Sequence, residues 1–261
     1  MINQPLASVH PDAIVGPNVE IGPFVFIDKN VEIGEGTKIA ANATILEGSR
    51  IGRHCNIFPG AVIGAIPQDL KFRGEETLAI IGDHTTIREC VTVNRGTVAK
   101  GQTVVGSHCL LMAYSHVAHD CVVGDHVIMA NSCQLAGEVE IEEHAILGGG
   151  TLVHQFTKIG KHVMIQGGCK VTKDVPPYVT AGRDPLSFAG INSIGLRRRG
   201  FSNETIAEIH NAYRIIYQEK LNTTNALAKI EETIPASAER DELVGFVRSS
   251  SRGIIKGYFE E

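Results

Sequence analysis

The sequence has no tryptophan, and aromatic residues fill only 5% of its 261 positions. A core without large rings is filled by aliphatic and small side chains. With 28 glycines as well, such a composition disfavours a large helical bundle. No stretch of ~18 apolar residues occurs, so no transmembrane segment is expected. The opening Met1-Ile2-Asn3-Gln4-Pro5 has no basic stretch followed by an apolar run. No secretory leader is therefore expected, and the chain is assigned to the cytoplasm. Excess positive charge is missing too: 24 Lys+Arg face 29 Asp+Glu, a net charge of −5, which argues against nucleic-acid binding. No two of the six cysteines are spaced C-x2-C. In an unexported chain of this size they are expected as reduced thiols, and a zinc site is disfavoured.

What the sequence does have is a repeat. Stepping by six from Val9 to Val171, every slot holds a large apolar residue except Asp69, Glu75 and Ala99. Four residues after each of these comes a mostly small one, as in Ala13, Thr37, Ala43, Ser49, Cys55 and Ala61. Plain strand alternation has period two. A period of six, with one large and one small inward residue, describes a short strand plus a turn. Three such units close a coil of about 18 residues, the left-handed parallel β-helix of hexapeptide proteins. Residues 18 apart then lie one above the other, about 4.8 Å apart. The exceptions mark loops near 66–79 and 95–104. The period ends after Val171, a connector runs to about Ser187, and the pattern turns helical with Ile206, Ile209, Tyr213 and Ile216 at 3.6 spacing. Ser202 is the expected N-cap of that helix and Gly200 the terminator of the one before. The organisation expected is thus a β-helix over 1–186 and a small α-helical domain over 187–261.

The repeat also sorts the reactive side chains. Cys55, Cys109, Cys121, Cys133 and Cys169 fall in the small inward slot and are expected as inert buried thiols. His54, His84, His108, His126, His144 and His162 fall three after the aliphatic, a corner slot that tolerates left-handed backbone angles. His116, His119 and His154 do not follow this pattern and are read as outward, mid-strand residues with no role in the fold. Gly137 lies 18 residues after His119, and Gln155 another 18 on. A potential base, a backbone amide without a Cβ and a side-chain amide thus share one column. That is a constellation for acyl transfer, with a histidine to take a proton and an N–H to hold a developing oxyanion.

The loop Gln68-Asp69-Leu70-Lys71, the run Asn94-Arg95-Gly96-Thr97, His116-Val117-Ala118-His119-Asp120-Cys121, Val153-His154-Gln155-Phe156 and Leu196-Arg197-Arg198-Arg199-Gly200-Phe201, on this repeat, resemble the bacterial UDP-N-acetylglucosamine acyltransferase family. The resemblance spans essentially the whole chain. It implies transfer of a 3-hydroxyacyl group from acyl carrier protein to the 3-hydroxyl of UDP-N-acetylglucosamine, the first step of lipid A synthesis. It further implies a homotrimer with its active sites between neighbouring subunits, and no metal or free cofactor, since the carrier thioester supplies the activation. Carried over to this sequence, His119 is the general base, Asp120 orients it, and the Gly137 amide is the oxyanion donor. Gln68, Asp69 and Lys71 contact substrate from the neighbour's loop. His116, His154 and Gln155 line the sugar-nucleotide side. Asn192, Arg198 and Arg199 approach the nucleotide phosphates or the carrier protein. Gly167 takes the place of a gate on acyl-chain length, and without a side chain it implies acceptance of long chains. Two positions depart from the family pattern: Asn94 and Glu138 stand where histidine is common. Asp120 and Glu138, 18 apart, are expected as a like-charge column. Another hexapeptide acyltransferase, or a trimeric zinc enzyme of the carbonic anhydrase type, remains the alternative on residues alone.

Overall fold

The structure is a computed structural model that describes residues 5–257. Met1–Gln4, which carry most of the reading against a leader, lie outside the described residues. The chain winds into a three-sided parallel coil. Its strands, mostly two residues long, fall into three sheets of nine, eight and eleven strands. Successive strands visit the three sheets in turn, so each side of the coil is one continuous parallel ladder. Stacking follows the 18-residue rule where the coil is regular: Val117 pairs with Leu135, and Leu135 with Val153. Where loops leave, the spacing grows by whole hexapeptides. Ile63 pairs with Val93 and Val93 with Val117. The chain rejoins the sheet at Leu78 and Gln102, so the loops span 66–77 and 95–101.

The inward column is aliphatic and fully buried, including Ile45, Ile57, Ile63, Ile81, Leu111, Leu135 and Leu147. Small polar residues among the inward slots turn their hydroxyls to the backbone, as Thr85 does to the Gly106 carbonyl at 2.7 Å. This satisfies groups that burial would otherwise penalise. All six cysteines are free thiols, and the five inward ones are buried. Burial pushes the Cys109 thiol up to about 11 and that of Cys121 to about 12, so neither supplies a thiolate nucleophile at neutral pH.

After Val171 the ladder does not stop where the sequence period does. Val179–Gly182 extends the eleven-stranded sheet in parallel, Ser187–Ile191 adds an antiparallel strand, and Lys256–Gly257 returns to pair with Ser187. The segment read as a connector therefore carries the first strand of a hairpin, and the second opens the stretch read as the α-helical domain; a six-residue period cannot reveal either. Four helices follow: α1 Ser193–Arg198, α2 Asn203–Gln218, α3 Thr223–Thr233 and α4 Ala238–Ser249. Ser202 caps α2 by accepting from the Thr205 N–H. Gly200, at φ 87°, turns the chain just after α1. Among the described residues no helix is long and apolar enough to cross a membrane.

The corner histidines form a ladder. All six adopt left-handed backbone angles, φ 52° to 61°. Their rings stack face to face with centroids 4.6 to 5.2 Å apart from His54 to His162. Tyr178 stacks beyond His162, and Phe201 meets its edge. His162 is only 7% exposed, and among the described residues its buried Nδ1 has no hydrogen-bond partner. Burial, with smaller contributions from His144, Arg199 and Lys161, pushes its pKa down to about 4, against about 6.5 in an unfolded chain. Its contribution to stability is therefore complete above pH 6.5. It is lost as pH falls from there toward 4, where only the unfolded chain takes up the proton. The full loss amounts to about 3 kcal/mol. The urea midpoint of His162→Asn is expected to fall less steeply between pH 7 and 5 than that of the parent. Equal slopes would show that His162 does not set the acid sensitivity.

Candidate active site

The mid-strand placement expected for the off-pattern histidines holds for His116 alone. Strands of two residues leave most outward positions to the corners. His119 and Asp120 form the turn between His116–Val117 of the nine-stranded sheet and Val122–Val123 of the eight-stranded sheet, and His154 directly follows Leu152–Val153.

Asp120 adopts the left-handed angle of a corner residue, φ 60°, and its side chain is 0% exposed. Its Oδ2 lies 2.8 Å from His119 Nδ1. The Thr97 hydroxyl also donates to Oδ2, at 2.6 Å. The N–H groups of Thr97 and Lys100 donate to Oδ1 at 2.9 and 3.2 Å. Burial works to raise the Asp120 pKa, but these donors together outweigh it and hold the carboxyl below its ordinary range. A carboxylate only accepts hydrogen bonds, so it fixes the proton of His119 on Nδ1 and leaves Nε2 as a bare acceptor. The Glu138 side chain stands half-exposed on the next coil, where its N–H donates to the His119 carbonyl at 3.0 Å. The column expected between Asp120 and Glu138 thus pairs one buried, fully bonded carboxylate with a half-exposed one.

Gly137 lies against the imidazole. A Cβ there would be 2.5 Å from both Cε1 and Nε2 of His119, so only glycine lets the ring take this position. Within the described residues the Gly137 N–H has no acceptor. A general base and a free donor thus sit side by side at one corner. Gln155 occupies the same corner one coil further on. His116, on the strand before His119, has Nδ1 2.7 Å from the Thr92 hydroxyl. Burial, with a minor contribution from His119, lowers its pKa. His154 is exposed, with Nδ1 3.4 Å from Arg252 Nη2 in the segment after α4. Among the described residues no three His, Cys, Asp or Glu side chains gather where they would hold a metal ion, so the zinc alternative has no three-histidine site within one chain.

Both loops leave the coil at the corner that carries His119. Asn94, one of the two departures, is buried and donates to the Ile66 carbonyl at 2.6 Å, tying down the root of the 66–77 loop. On that loop Gln68 and Lys71 are exposed, Asp69 accepts from the Lys71 N–H, and Leu70 between them is 96% exposed. Asn192, Arg198 and Arg199 lie elsewhere, at the corner between the eight- and eleven-stranded sheets. Asn192 caps α1 through Oδ1 and donates from Nδ2 to the His162 carbonyl, so its side chain is committed to the fold. Arg199 reaches the His144 carbonyl at 3.2 Å, and Arg198 is exposed at the end of α1. Gly167 lies at the third corner, exposed, above Gly148 and Gly149. Within one chain the sequence-predicted residues therefore form one compact catalytic group and two separate sets. Sequence reasoning missed the contact of Thr97 and Lys100 with Asp120. The break at Ala99 announced a loop but not where the loop folds back.

Residues 174–255 match a family model described as Udp N-acetylglucosamine O-acyltransferase, domain 2. Residues 102–137 match one described as bacterial transferase hexapeptide (six repeats), and residues 3–109 one described as GMPPB C-terminal domain. The chain is 58% identical over 255 residues to an acyl-(acyl-carrier-protein)-UDP-N-acetylglucosamine O-acyltransferase of Chlorobaculum parvum, covering 95% of this chain and 97% of the relative. It is 54% identical to the enzyme of the same description from Trichlorobacter lovleyi, over 96% of this chain and 98% of the relative. The crystal structure of a UDP-N-acetylglucosamine acyltransferase from Bacteroides fragilis superposes with a TM-score of 0.96 at 59% identity, covering 98% of this chain and all of that one. With more than half its residues identical over nearly its full length, and the same fold from the first coil to the last helix, the chain belongs to the UDP-N-acetylglucosamine O-acyltransferase family.

Proposed function

We propose that this chain transfers a 3-hydroxyacyl group from the thioester of acyl carrier protein to the 3-hydroxyl of UDP-N-acetylglucosamine, at the start of lipid A synthesis. The observation that carries this reading is the packing of His119 Nε2 on Gly137, with Nδ1 bound to a buried carboxylate. A sugar hydroxyl is a poor nucleophile, and a base with a pKa near 7 suits it. Nε2 takes the hydroxyl proton as the oxygen attacks the thioester carbonyl. The Gly137 N–H donates to the oxygen that gains charge. The tetrahedral intermediate then expels the carrier thiolate, which receives the proton back from His119. Asp120 stays ionised throughout and stabilises the imidazolium.

The catalytic corner and the arginine corner lie on different edges of one coil. A second copy presenting its Arg198 and Arg199 to the first copy's His119 completes a site with cations for a diphosphate. The exposed Gln68, Asp69 and Lys71 loop reaches across in the same way, and His116, His154 and Gln155 line the sugar-nucleotide side. These features support a closed homotrimer with three such clefts, which sedimentation would report as three times the chain mass. The activity is tested by supplying 3-hydroxyacyl carrier proteins of graded chain length with UDP-N-acetylglucosamine and following the O-acyl product. Absence of product with every chain length would overturn the reading.

Gly167 offers bare backbone to an acyl chain, and preference for about C14 or longer is expected. A side chain is admitted there only narrowly, since its Cβ would lie 3.0 Å from the Gly149 carbonyl oxygen. Gly167→Met is expected to shorten the preferred chain, at about 0.8 kcal/mol for each methylene it displaces. An unchanged preference in competition between chain lengths would refute the gate.

A further inference from the structure

We infer that Thr97 is a positioning residue for the base: through Asp120 it holds the His119 imidazole in the orientation and tautomer that proton abstraction needs. The inference rests on the reading of His119 as the base and adds to it a residue that touches neither substrate nor the reacting atoms.

The six-residue insertion that breaks the repeat at Ala99 does not drape over the surface. The Thr77 hydroxyl donates to the Gly96 carbonyl at 2.6 Å, and the Gly96 N–H to the Leu78 carbonyl at 3.1 Å. The Gly101 N–H donates to the Thr97 carbonyl at 2.7 Å. A Cβ on Gly96 would collide with the Gln102 backbone. Lys100 is held at its far end by Glu140, 3.0 Å from Nζ, and Glu140 in turn by Lys158. What this bracing presents is Thr97. Its N–H goes to Oδ1 of Asp120 and its hydroxyl to Oδ2. The Thr97 Oγ1 also accepts the Ala99 N–H at 3.2 Å. That bond occupies a lone pair and directs the hydroxyl proton to Oδ2, the oxygen that receives His119 Nδ1.

Two donors on two oxygens stop the carboxylate from rotating about its own axis. The groups facing it are His119 on its own corner and Thr97 and Lys100 on the inserted loop, while the Glu138 side chain on the next coil is half-exposed. Lys100 offers only its N–H, since its ammonium is engaged by Glu140. With Asp120 fixed, the imidazole has one place to donate Nδ1–H. Gly137, lacking a Cβ, leaves room for the ring in that place. Part of the order of the base thus derives from a residue outside its coil.

The test uses the full chain with 3-hydroxyacyl carrier protein and UDP-N-acetylglucosamine. Thr97→Val keeps the shape and the backbone N–H but removes the hydroxyl donor. Its kcat is expected to fall roughly ten- to a hundredfold, with KM for both substrates within about twofold and Thr97→Ser restoring at least about half of the parent's turnover. The acidic limb of kcat/KM against pH is expected to move to higher pH, because a carboxylate with one donor fewer attracts the imidazolium more strongly. In a His119→Ala background Thr97→Val is expected to cost nothing more. Turnover of Thr97→Val within about threefold of the parent, while His119→Ala is inactive, would overturn the inference, as would equal losses in the valine and serine variants. If the valine variant does not fold, Thr97→Ala is measured in its place. The 15N shifts of the His119 ring in the parent read its tautomer independently of activity, and a proton found on Nε2 rather than Nδ1 would also overturn the inference. Failure of the parent to transfer, or full activity of His119→Ala, would instead strike the functional reading and leave the tautomer measurement to decide on Thr97.

Discussion

Replacing His119 by alanine is expected to leave a folded protein whose turnover is lower by roughly 10²–10⁴. Three features lead to this expectation. The ring bonds the buried carboxylate and lies against Gly137. His116, the neighbouring histidine, is not placed to take over. His116 is engaged with the Thr92 hydroxyl, and its burial makes it a weaker base. The fold, by contrast, does not need the ring. His119 is outside the inward column, with its side chain 12% exposed, and Asp120 keeps the donors of Thr97 and Lys100 after the change. Circular dichroism should therefore match the parent while product formation collapses. Retention of more than about a tenth of the parent's turnover would end the assignment of His119 as base.

Gly137→Ala is expected to be nearly as damaging, with kcat falling by roughly 10²–10³. The backbone at 137 is not left-handed, so alanine meets no conformational strain. The cost arises from the 2.5 Å between the new methyl position and His119 Cε1 and Nε2. The ring must swing off Asp120 or the two coils must part, and either change separates the base from the N–H that holds the oxyanion. The thermal midpoint is expected to change little, since alanine lowers the entropy of the unfolded chain and so offsets some of the clash. A Gly137→Ala enzyme with parental kcat would show that the close approach of the ring to Gly137 does not matter.

The coil was legible in the sequence because its repeat is the physical unit of the fold. Val117, Leu135 and Val153 announce their own stacking, and with it the placement of His119 under Gly137. The ends of the pattern were less legible. Val179–Gly182 and Ser187–Ile191 pair antiparallel, so no six-residue period marks them; the first read as connector and the second as the start of the helical domain. The loops were visible only as gaps. That Asn94 ties down one of them, and that Thr97 reaches back to Asp120, depends on where an irregular backbone turns, which residue type alone does not dictate. Likewise the three sets at three corners were readable by position. Their distribution over different edges of one chain became clear only once strands were assigned to sheets.

Parallel sheets ordinarily fold slowly, because the chain must close a long crossover before any strand finds its partner. In this coil, up to Val171, the partner is one turn away. Up to Val171 the inward residues paired across neighbouring strands are 18, 24 or 30 positions apart, about 0.07–0.11 of the chain length, a separation in the range of helical proteins and the faster mixed domains. Each new turn closes a short loop onto a surface that already exists, so folding can start at any coil and grow in either direction, in the manner of a one-dimensional array. The 66–77 loop raises the closure cost only slightly, since that cost grows with the logarithm of loop length. An elaborate insertion can thus hang from a corner of the column without slowing the assembly of the rest.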